Sequence, residues 1–406
     1  MKKVAILGAG ISGLAAAWFL KKRLGNDVEI TLYEKSARIG GWISTKQIQG
    51  FVFEEGPRGF RPSGRGKVTL ELVQELGLKK ELISANPESR KRYISLGGKL
   101  RPFSFAFLLK QGFLGGILRD SFTPASSEED ETIADFTCRR FNNRLAETVM
   151  DPLAQGVFGG DCRKLSIRSC LPFLWELERE KRSVLWGFLG KKKEKVPTSL
   201  YSFREGMETL PKVLAQKVDA RFLLSHEVLS LEEIDADWII SALPTSALSG
   251  LVGQKDPLEY ATLSVISFGW EKRVLKKKGY GFLVPSKENA AILGMTWDSQ
   301  IFPCQHPGEY TRICVMIGGA HSEKNLYETA VRSLSTFLGI TQTPTVYSVK
   351  SAKNAIPQYT LYHHRRIEAF KKNLPPHLFA IGNCFEGVSI NDCIFNAKKL
   401  VDSLSF

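Results

Sequence analysis

The chain lacks an apolar run long enough to cross a bilayer. The best candidate, FSFAFLLKQGFLGGIL over residues 103–118, is short and is broken by Lys110, Gln111 and three glycines. The seven cysteines (138, 162, 170, 304, 314, 384 and 393) contain no CxxC pair and no Cys/His ligand spacing. An odd, scattered set excludes a disulfide frame or a zinc site and suits free thiols in a reducing compartment. The start, MKKVAILGAG, has the basic and apolar parts of a signal peptide, but the apolar part feeds a glycine motif and no cleavage site follows. An intracellular chain is therefore expected. There is also no internal repeat, no low-complexity tract, no nucleic-acid module, no Ser/His/Asp triad, no metal cluster and no paired carboxylates. These absences leave no residue marked as catalytic and no metal.

What is present begins with size and charge. A chain of 406 residues, 43% hydrophobic and 24% charged, is too long for one comfortable core, so two or three globular domains are expected. The net charge of +14 points to an anionic lipid surface or an anionic substrate, with nucleic acid set aside. The runs KKKEK (191–195) and KKK (276–278) read as solvated loops, so the global excess matters more than either run.

Hydrophobic pattern then orders the chain. KVAIL (3–7) reads as a buried strand, residues 12–23 as a helix with an alanine-rich face, and DVEITLYEK (27–35) as a second buried strand. This is a βαβ unit. QIQGFVFEEG alternates like a hairpin. Residues 68–200 read as largely helical, and 199–218 as a turn and an amphipathic helix. HEVLSLEE (226–233) and ADWIISALP (236–244) read as strands, and residues 258–350 are strand-rich. LFAIGNCFEG (378–387) is another strand running into glycine, before a closing helix at 391–404. Strand-then-glycine features at both ends suggest one nucleotide-binding domain assembled from distant segments.

GAGISG supplies Gly8, Gly10 and Gly13. The first allows a sharp turn off the strand, the second lets backbone approach a pyrophosphate, and the third lets helix pack on sheet. The free amides of the helix N-terminus then face phosphate. Glu34 ends the second strand twenty-one residues beyond Gly13, where an acid receives ribose hydroxyls and argues against a 2′-phosphate. RIGGWISTKQIQGFVFEEGPRGF (38–60) adds two further glycine clusters at once. A simple NAD enzyme does not need them, whereas FAD must thread its isoalloxazine end past tight backbone turns.

EKSARIGGWIST resembles the pattern that follows the dinucleotide fingerprint in the large family of FAD amine oxidases, phytoene desaturases and protoporphyrinogen oxidases. Further blocks narrow the resemblance: EEGPRGFRP, RYISLGGKLRPF, SFREGMETLPKVL, ADWIISALPTSAL, GYGFLVPSKE, LGMTWDSQIFP, VMIGG, IPQYTLYHH and EGVSINDCI. In order and spacing they are similar to the oxygen-dependent protoporphyrinogen oxidases, from residue 4 to about residue 400. The resemblance implies an α/β fold, α+β overall. A Rossmann-like FAD domain (1–85, 205–255 and 345–406) would accompany a mostly helical membrane-binding and substrate-channel domain (86–204). A strand-rich, mixed-sheet substrate domain (256–344) would complete the fold.

Carried over residue by residue, the resemblance places Gly8, Ala9, Gly10, Ile11, Ser12 and Gly13 on the pyrophosphate of FAD, with Glu34 and Lys35 at the ribose. Trp42 and the turn Gly56, Pro57, Arg58 and Gly59 would lie near the flavin, Val228 near the adenine, and Val388, Ser389 and Ile390 at the ring end. Substrate contacts would be Arg92, pairing with a propionate, then Tyr280, Gly281, Leu283 and Met316. On the residues alone, Arg92 reads more as a solvated charge than as a ligand, Leu283 and Met316 read equally as core, and Val228 and 388–390 also fit strand packing. His363 and His364 are adjacent, cannot share a face and read as partly exposed loop residues. One departure stands out: Tyr362 occupies a position where the family has glycine, so that turn has lost a positive-φ residue or changed path.

The implied activity is oxidation of protoporphyrinogen IX to protoporphyrin IX in haem biosynthesis, in two-electron steps with molecular oxygen as acceptor. Coproporphyrinogen III oxidation and a non-catalytic, flavin-holding, membrane-associated protein are the alternatives. The implied setting is cytoplasmic, peripherally associated with the inner face of an anionic membrane, and a homodimer is left open. The adsorbing surface would be 103–118, with Phe103, Phe105, Phe107, Leu108, Leu109, Phe113 and Leu114; a buried helix hairpin is the competing reading.

Overall fold

A computed structural model describes residues 1–190, 199–306 and 308–404. KKKEK at 191–195 lies outside the described residues. The expected βαβ unit forms. Lys2–Leu7 and Val28–Glu34 pair in parallel, and the helix Ile11–Leu24 packs its alanines against them. Ala15, Ala16 and Ala17 are completely buried, because only small side chains let helix and sheet approach this closely.

These two strands sit inside a five-stranded parallel sheet in the order Leu378–Ala380, Trp238–Ser241, Lys2–Leu7, Val28–Glu34 and Arg221–Leu224. Strands from both ends and the middle of the sequence therefore share one layer, as the strand-then-glycine pattern predicts. One element differs. HEVLSLEE forms no strand; the edge strand comes earlier, at Arg221–Leu224, and residues 231–233 make a single 3₁₀ turn. The reason is local: the Glu233 carboxylate accepts the backbone N–H groups of Leu229 and Ser230, and Ser230 caps the turn. These bonds consume donors that a sheet ladder would need.

The second sheet is mixed and seven-stranded, ordered Val346–Pro357, Tyr260–Trp270, Thr311–Gly318, Gly294–Thr296, Gly281–Leu283, Arg92–Leu96 and Lys99–Pro102. It draws strands from outside 256–344 on both sides. One face packs on the helix Glu323–Leu338 through Ile266, Phe268, Phe282, Val315 and Leu326. The alternate residues Val265, Leu283, Cys314 and Met316 form a smaller cluster on the other face. QIQGFVFEEG is the hairpin expected, Thr45–Ile48 with Phe51–Glu54, turning through Gln49 and Gly50, both at positive φ.

Most of residues 105–190 is helical, and a buried ion cluster holds this region together. Arg140 is completely buried and donates to Glu178, to Asp120 Oδ1 at 3.1 Å and to three backbone carbonyls. Asp120 also accepts from the Ser183 hydroxyl at 2.5 Å. Such a cluster is stable only while every charge has its partner. Phe105–Lys110 and Phe113–Phe122 form a helix hairpin on the surface of this region, not a buried one. Phe105, Leu114, Leu118 and Phe122 are 62%, 56%, 65% and 86% exposed, while Phe107, expected on the adsorbing surface, is buried. Among the described residues no helix is long and apolar enough to cross a membrane.

Arg140→Ala leaves Asp120 and Glu178 buried with too little positive charge and is expected to cost about 3–5 kcal/mol of unfolding free energy. Urea denaturation followed by circular dichroism checks this, and a loss below about 1 kcal/mol would contradict the account of the cluster.

Candidate active site

The site begins where the strand Lys2–Leu7 ends. Gly8 donates its N–H to the Tyr33 carbonyl at 2.7 Å, so the chain turns across the carboxyl ends of the parallel strands. The helix Ile11–Leu24 then starts with no side-chain cap and no acid in its first turn. Its N-terminal amides and the positive end of its dipole are left for an anion. A Cβ on Gly13 would lie 2.0 Å from the Gly8 carbonyl oxygen, so no other residue permits this helix-to-turn approach. Ser12 and Ile11 are buried at this helix start.

Glu34 holds the turn from the other side. Its carboxylate accepts the Ala9 N–H at 2.9 Å and the Ser36 N–H and hydroxyl at 3.0 and 2.8 Å. Lys35 beside it is exposed. Val228 and Tyr33 pack against one apolar cluster, and the His226 N–H donates to the Glu34 carbonyl at 2.9 Å, which brings Val228 near the end of the strand Val28–Glu34. It lies there in a loop and not in the expected strand.

The second glycine cluster packs directly on the first. Gly40 donates its N–H to the Ala9 carbonyl at 2.8 Å and bridges Gly10. Trp42 is 46% exposed, and its carbonyl would lie 1.9 Å from a Cβ on Gly56. The two halves of the 38–60 stretch thus close on each other through backbone contact and through hydroxyl bonds from Ser44 to Glu55 and from Thr45 to Glu54. From the far end of the chain, Ser389 caps the helix Ile390–Ser403 with its hydroxyl committed to Asp392. Asn391 bonds Thr69 and the Arg61 carbonyl, each at 2.8 Å, and Asp392 pairs with Arg65 at 2.9 Å. Val388 packs on the helical region, while Ile390 enters the core beneath the first helix. The structure therefore packs the turns at 8–13, 34–42 and 56 against one another, while Val228 and Val388 join two other apolar clusters.

The five substrate-side residues converge on the mixed sheet. Arg92 pairs with Gly281, and its guanidinium lies 5.0 Å over the Tyr280 ring. Leu283 and Met316 flank Gly294 on adjacent strands and share one apolar cluster. Arg58 of the turn 56–59 joins the two groups, its Nε 3.1 Å from Asp298 Oδ1 with both side chains largely buried.

Asp298 also accepts from the Thr296 hydroxyl at 2.7 Å, and the fully buried Arg312 donates to the carbonyls of Val52 and Phe302 and to Gln305. Neither Asp298 nor Arg312 was singled out by residue pattern, although both lie in quoted or adjoining strand-rich blocks. Asp298 opens a one-turn helix and Arg312 lies on the strand Thr311–Gly318, and neither charge gives a sign of its partner until the chain is folded.

His363 needs correction. It opens the helix His363–Lys372, is buried, and stacks on Tyr359 with ring centroids 3.8 Å apart. Burial pulls its pKa down to about 4, leaving the ring neutral, with Nε2 3.2 Å from the Phe385 carbonyl. His364 instead meets Glu129 at 2.6 Å and Arg168 at 2.9 Å. Tyr362 retains a positive φ of 59°, so the turn follows the path a glycine would take. The Arg365 guanidinium covers its ring at 5.3 Å.

Residues 11–401 match the flavin-containing amine oxidoreductase family. The chain belongs to this family. The protoporphyrinogen oxidase of Bos taurus is 36% identical over 98% of this chain and 97% of its own length. The coproporphyrinogen III oxidase of Bacillus subtilis is 25% identical over 100% and 98%. Reduced UDP-galactopyranose mutase, 14% identical, superposes with a TM-score of 0.76 over 99% of this chain and 95% of that one, a likeness of fold. As a member of the family the chain is an FAD-dependent oxidoreductase, and the uncapped helix start and backbone-lined crevice fit such a cofactor.

Glu54 supplies a pH signature for this core. Burial pushes its carboxyl up to about 7, against opposing help from Thr45, the Met207 N–H and Arg58. Between pH 4.5 and 7 the folded protein keeps a proton that the unfolded chain gives up. This group therefore lowers stability as pH rises through that window, by about 3 kcal/mol in full, and adds nothing further above it. Glu54→Gln is expected to flatten that part of the profile of unfolding free energy against pH; an unchanged slope would refute the assignment.

Proposed function

We propose that this chain oxidises protoporphyrinogen IX to protoporphyrin IX, with molecular oxygen as the final acceptor. The observation that carries the reading is the convergence of Arg92, Tyr280, Gly281, Leu283 and Met316 on neighbouring strands, linked by Arg58–Asp298 to the glycine-lined crevice. A cationic end and a flat apolar patch together suit a carboxylate-bearing macrocycle. Full-length relatives named protoporphyrinogen oxidase support the same reading.

In this reading the amides at Gly10–Gly13 hold the pyrophosphate, Glu34 and Lys35 face the ribose, and Val228 borders the adenine. Trp42, the turn 56–59 and residues 388–390 surround the ring end. Bound there, FAD supplies the two-electron acceptor for carbon–hydrogen oxidation. The protein's own part is to orient and to exclude. Arg92 takes a propionate, which a planar guanidinium suits. Leu283 and Met316 offer an apolar face that keeps water from the macrocycle, and Tyr280 supports Arg92 through its ring. No side chain is assigned as catalytic acid or base, since imine–enamine tautomerisation can move protons around the tetrapyrrole.

The same reading divides the chain into an FAD-binding part (1–85, 205–255 and 345–406), a helical part (86–204) and a substrate-binding part (256–344). The strands at 92–102 and 346–357 tie the first two parts into the mixed sheet. Coproporphyrinogen III is the second substrate reading, favoured by the Bacillus subtilis relative. Purified protein should be yellow and should turn protoporphyrinogen into fluorescent porphyrin while oxygen is consumed. A yellow but inert preparation would overturn the proposal, and rates on the two- and four-carboxylate rings decide between the substrates.

The exposed hairpin and the charge of +14 further support peripheral adsorption to an anionic membrane. Each apolar side chain inserted contributes up to about 2 kcal/mol. Replacing Phe105, Leu118 and Phe122 by serine should lower co-sedimentation with anionic vesicles at least about tenfold. Equal sedimentation of the wild-type and triple variant would remove the hairpin from the adsorbing surface.

A further inference from the structure

Leu283 is held from behind by a helix of the helical region. Its strand, Gly281–Leu283, runs on to Ser286, and Ser286 is captured by Asp151 at the start of the helix Asp151–Phe158. The Asp151 carboxylate is buried and accepts the Ser286 N–H at 2.7 Å, the Ser286 hydroxyl at 2.6 Å and the Gln155 side-chain amide at 3.1 Å. Gln155 also donates to the Ser286 hydroxyl, so the three residues close a ring of hydrogen bonds. Beside them Lys287 meets Glu147 at 3.5 Å. A buried carboxylate is costly without its donors, so the strand exit cannot drift from the helix without stranding that charge. The same helix touches the Leu283 side chain. A Cβ on Gly156 would lie 2.7 Å from Leu283 Cδ2, so that side chain rests on bare helix backbone. The far end of the helix is pinned to the sheet as well, by Gln358 Nε2 donating to the Phe158 carbonyl at 2.9 Å. With the helix at its back, Leu283 shares its apolar patch with Leu263, Leu293 and Met316. The helix is entered through a π-turn at Ala146–Met150, a rare geometry found mostly at functional sites.

We propose that Asp151 is a positioning residue for substrate binding. By holding Ser286 on the helix 151–158, it fixes where Leu283 stands in the apolar face that receives the tetrapyrrole. This rests on the porphyrinogen reading above and deepens it. Loss of the Asp151 carboxylate releases the strand exit, and Leu283 then turns away from the patch. The ring loses apolar contact, while the glycine-lined crevice, built on other elements, keeps its geometry. A face set in this way acts on the apolar body of the ring and not on its carboxylates, which separates the role of Asp151 from that of Arg92.

The test uses flavin-loaded protein and measures binding of protoporphyrin IX and of its dimethyl ester by quenching of tryptophan fluorescence. Asp151→Ala should weaken both ligands equally, by about tenfold, and raise KM with kcat little altered and the flavin content unchanged. Asp151→Asn, which keeps one acceptor oxygen, should restore part of the loss. Ser286→Ala, an exposed change that removes only the hydroxyl, should weaken both ligands about threefold. Unchanged affinity, a loss confined to the diacid, or a fall of kcat and flavin content in step with affinity would overturn the positioning role. If Asp151→Ala does not fold, Ser286→Ala decides, and wild-type affinity in that variant overturns the proposal. Failure of this inference and of the oxidase reading can be told apart. If ring binding depends on Asp151 but the wild-type protein oxidises no porphyrinogen, the positioning role stands and the oxidase falls. If it oxidises porphyrinogen and both variants match the wild type, the oxidase stands and the positioning role falls.

Discussion

The pair between Arg58 and Asp298 is the constraint on which the arrangement of the site depends. It crosses from a turn beside the parallel sheet to a strand end of the mixed sheet, with both side chains largely withdrawn from water. Two buried charges are tolerated only when each finds its partner in good geometry. The requirement fixes how the glycine-lined crevice faces the substrate-side strands. Around it, Thr296, Gln305 and Arg312 spread the charge over backbone carbonyls and polar side chains. The glycines 40, 41 and 56 matter for the same reason, since they let the turn that carries Arg58 close on the fingerprint loop.

Around this pair the molecule divides its tasks by chemistry. The parallel sheet offers backbone amides and one carboxylate, the groups that suit phosphates and ribose. The mixed sheet offers aromatic and aliphatic surface with arginines at one end. At the junction the Asp298 carboxylate is committed to Arg58 and Thr296, and the difficult step of the proposed reaction belongs to the cofactor. The helical region buries the charges of Arg140, Asp120 and Glu178 together and leaves its apolar hairpin outside.

How legible this was from residues varied with the range of the interactions involved. GAGISG, Glu34 and the hairpin 45–54 were readable because strand, turn and helix signals all lie within a few residues of one another. HEVLSLEE was misread because its alternating apolar residues suit a strand, while Glu233 satisfies the backbone locally. His363 was placed at the surface because its burial depends on the Phe385 carbonyl, twenty-two residues further on, and on the core into which Tyr359 packs. The hairpin 103–118 was split between two readings, since an apolar helix pair looks the same whether protein or solvent covers it. Only the packing shows Phe107 inside and Phe122 outside.

By itself the sequence determined the nucleotide fold and its cofactor class. Those depend on glycine spacing, strand pattern and one acid, all of which act over short distances along the chain. It also carried the family resemblance that named the substrate-side residues. Only the tertiary structure decided which groups meet: Arg58 with Asp298 across 240 positions, and Arg92 with the Tyr280 ring. Pairing between distant residues depends on how two sheets pack, and side-chain chemistry read in order contains no measure of that distance.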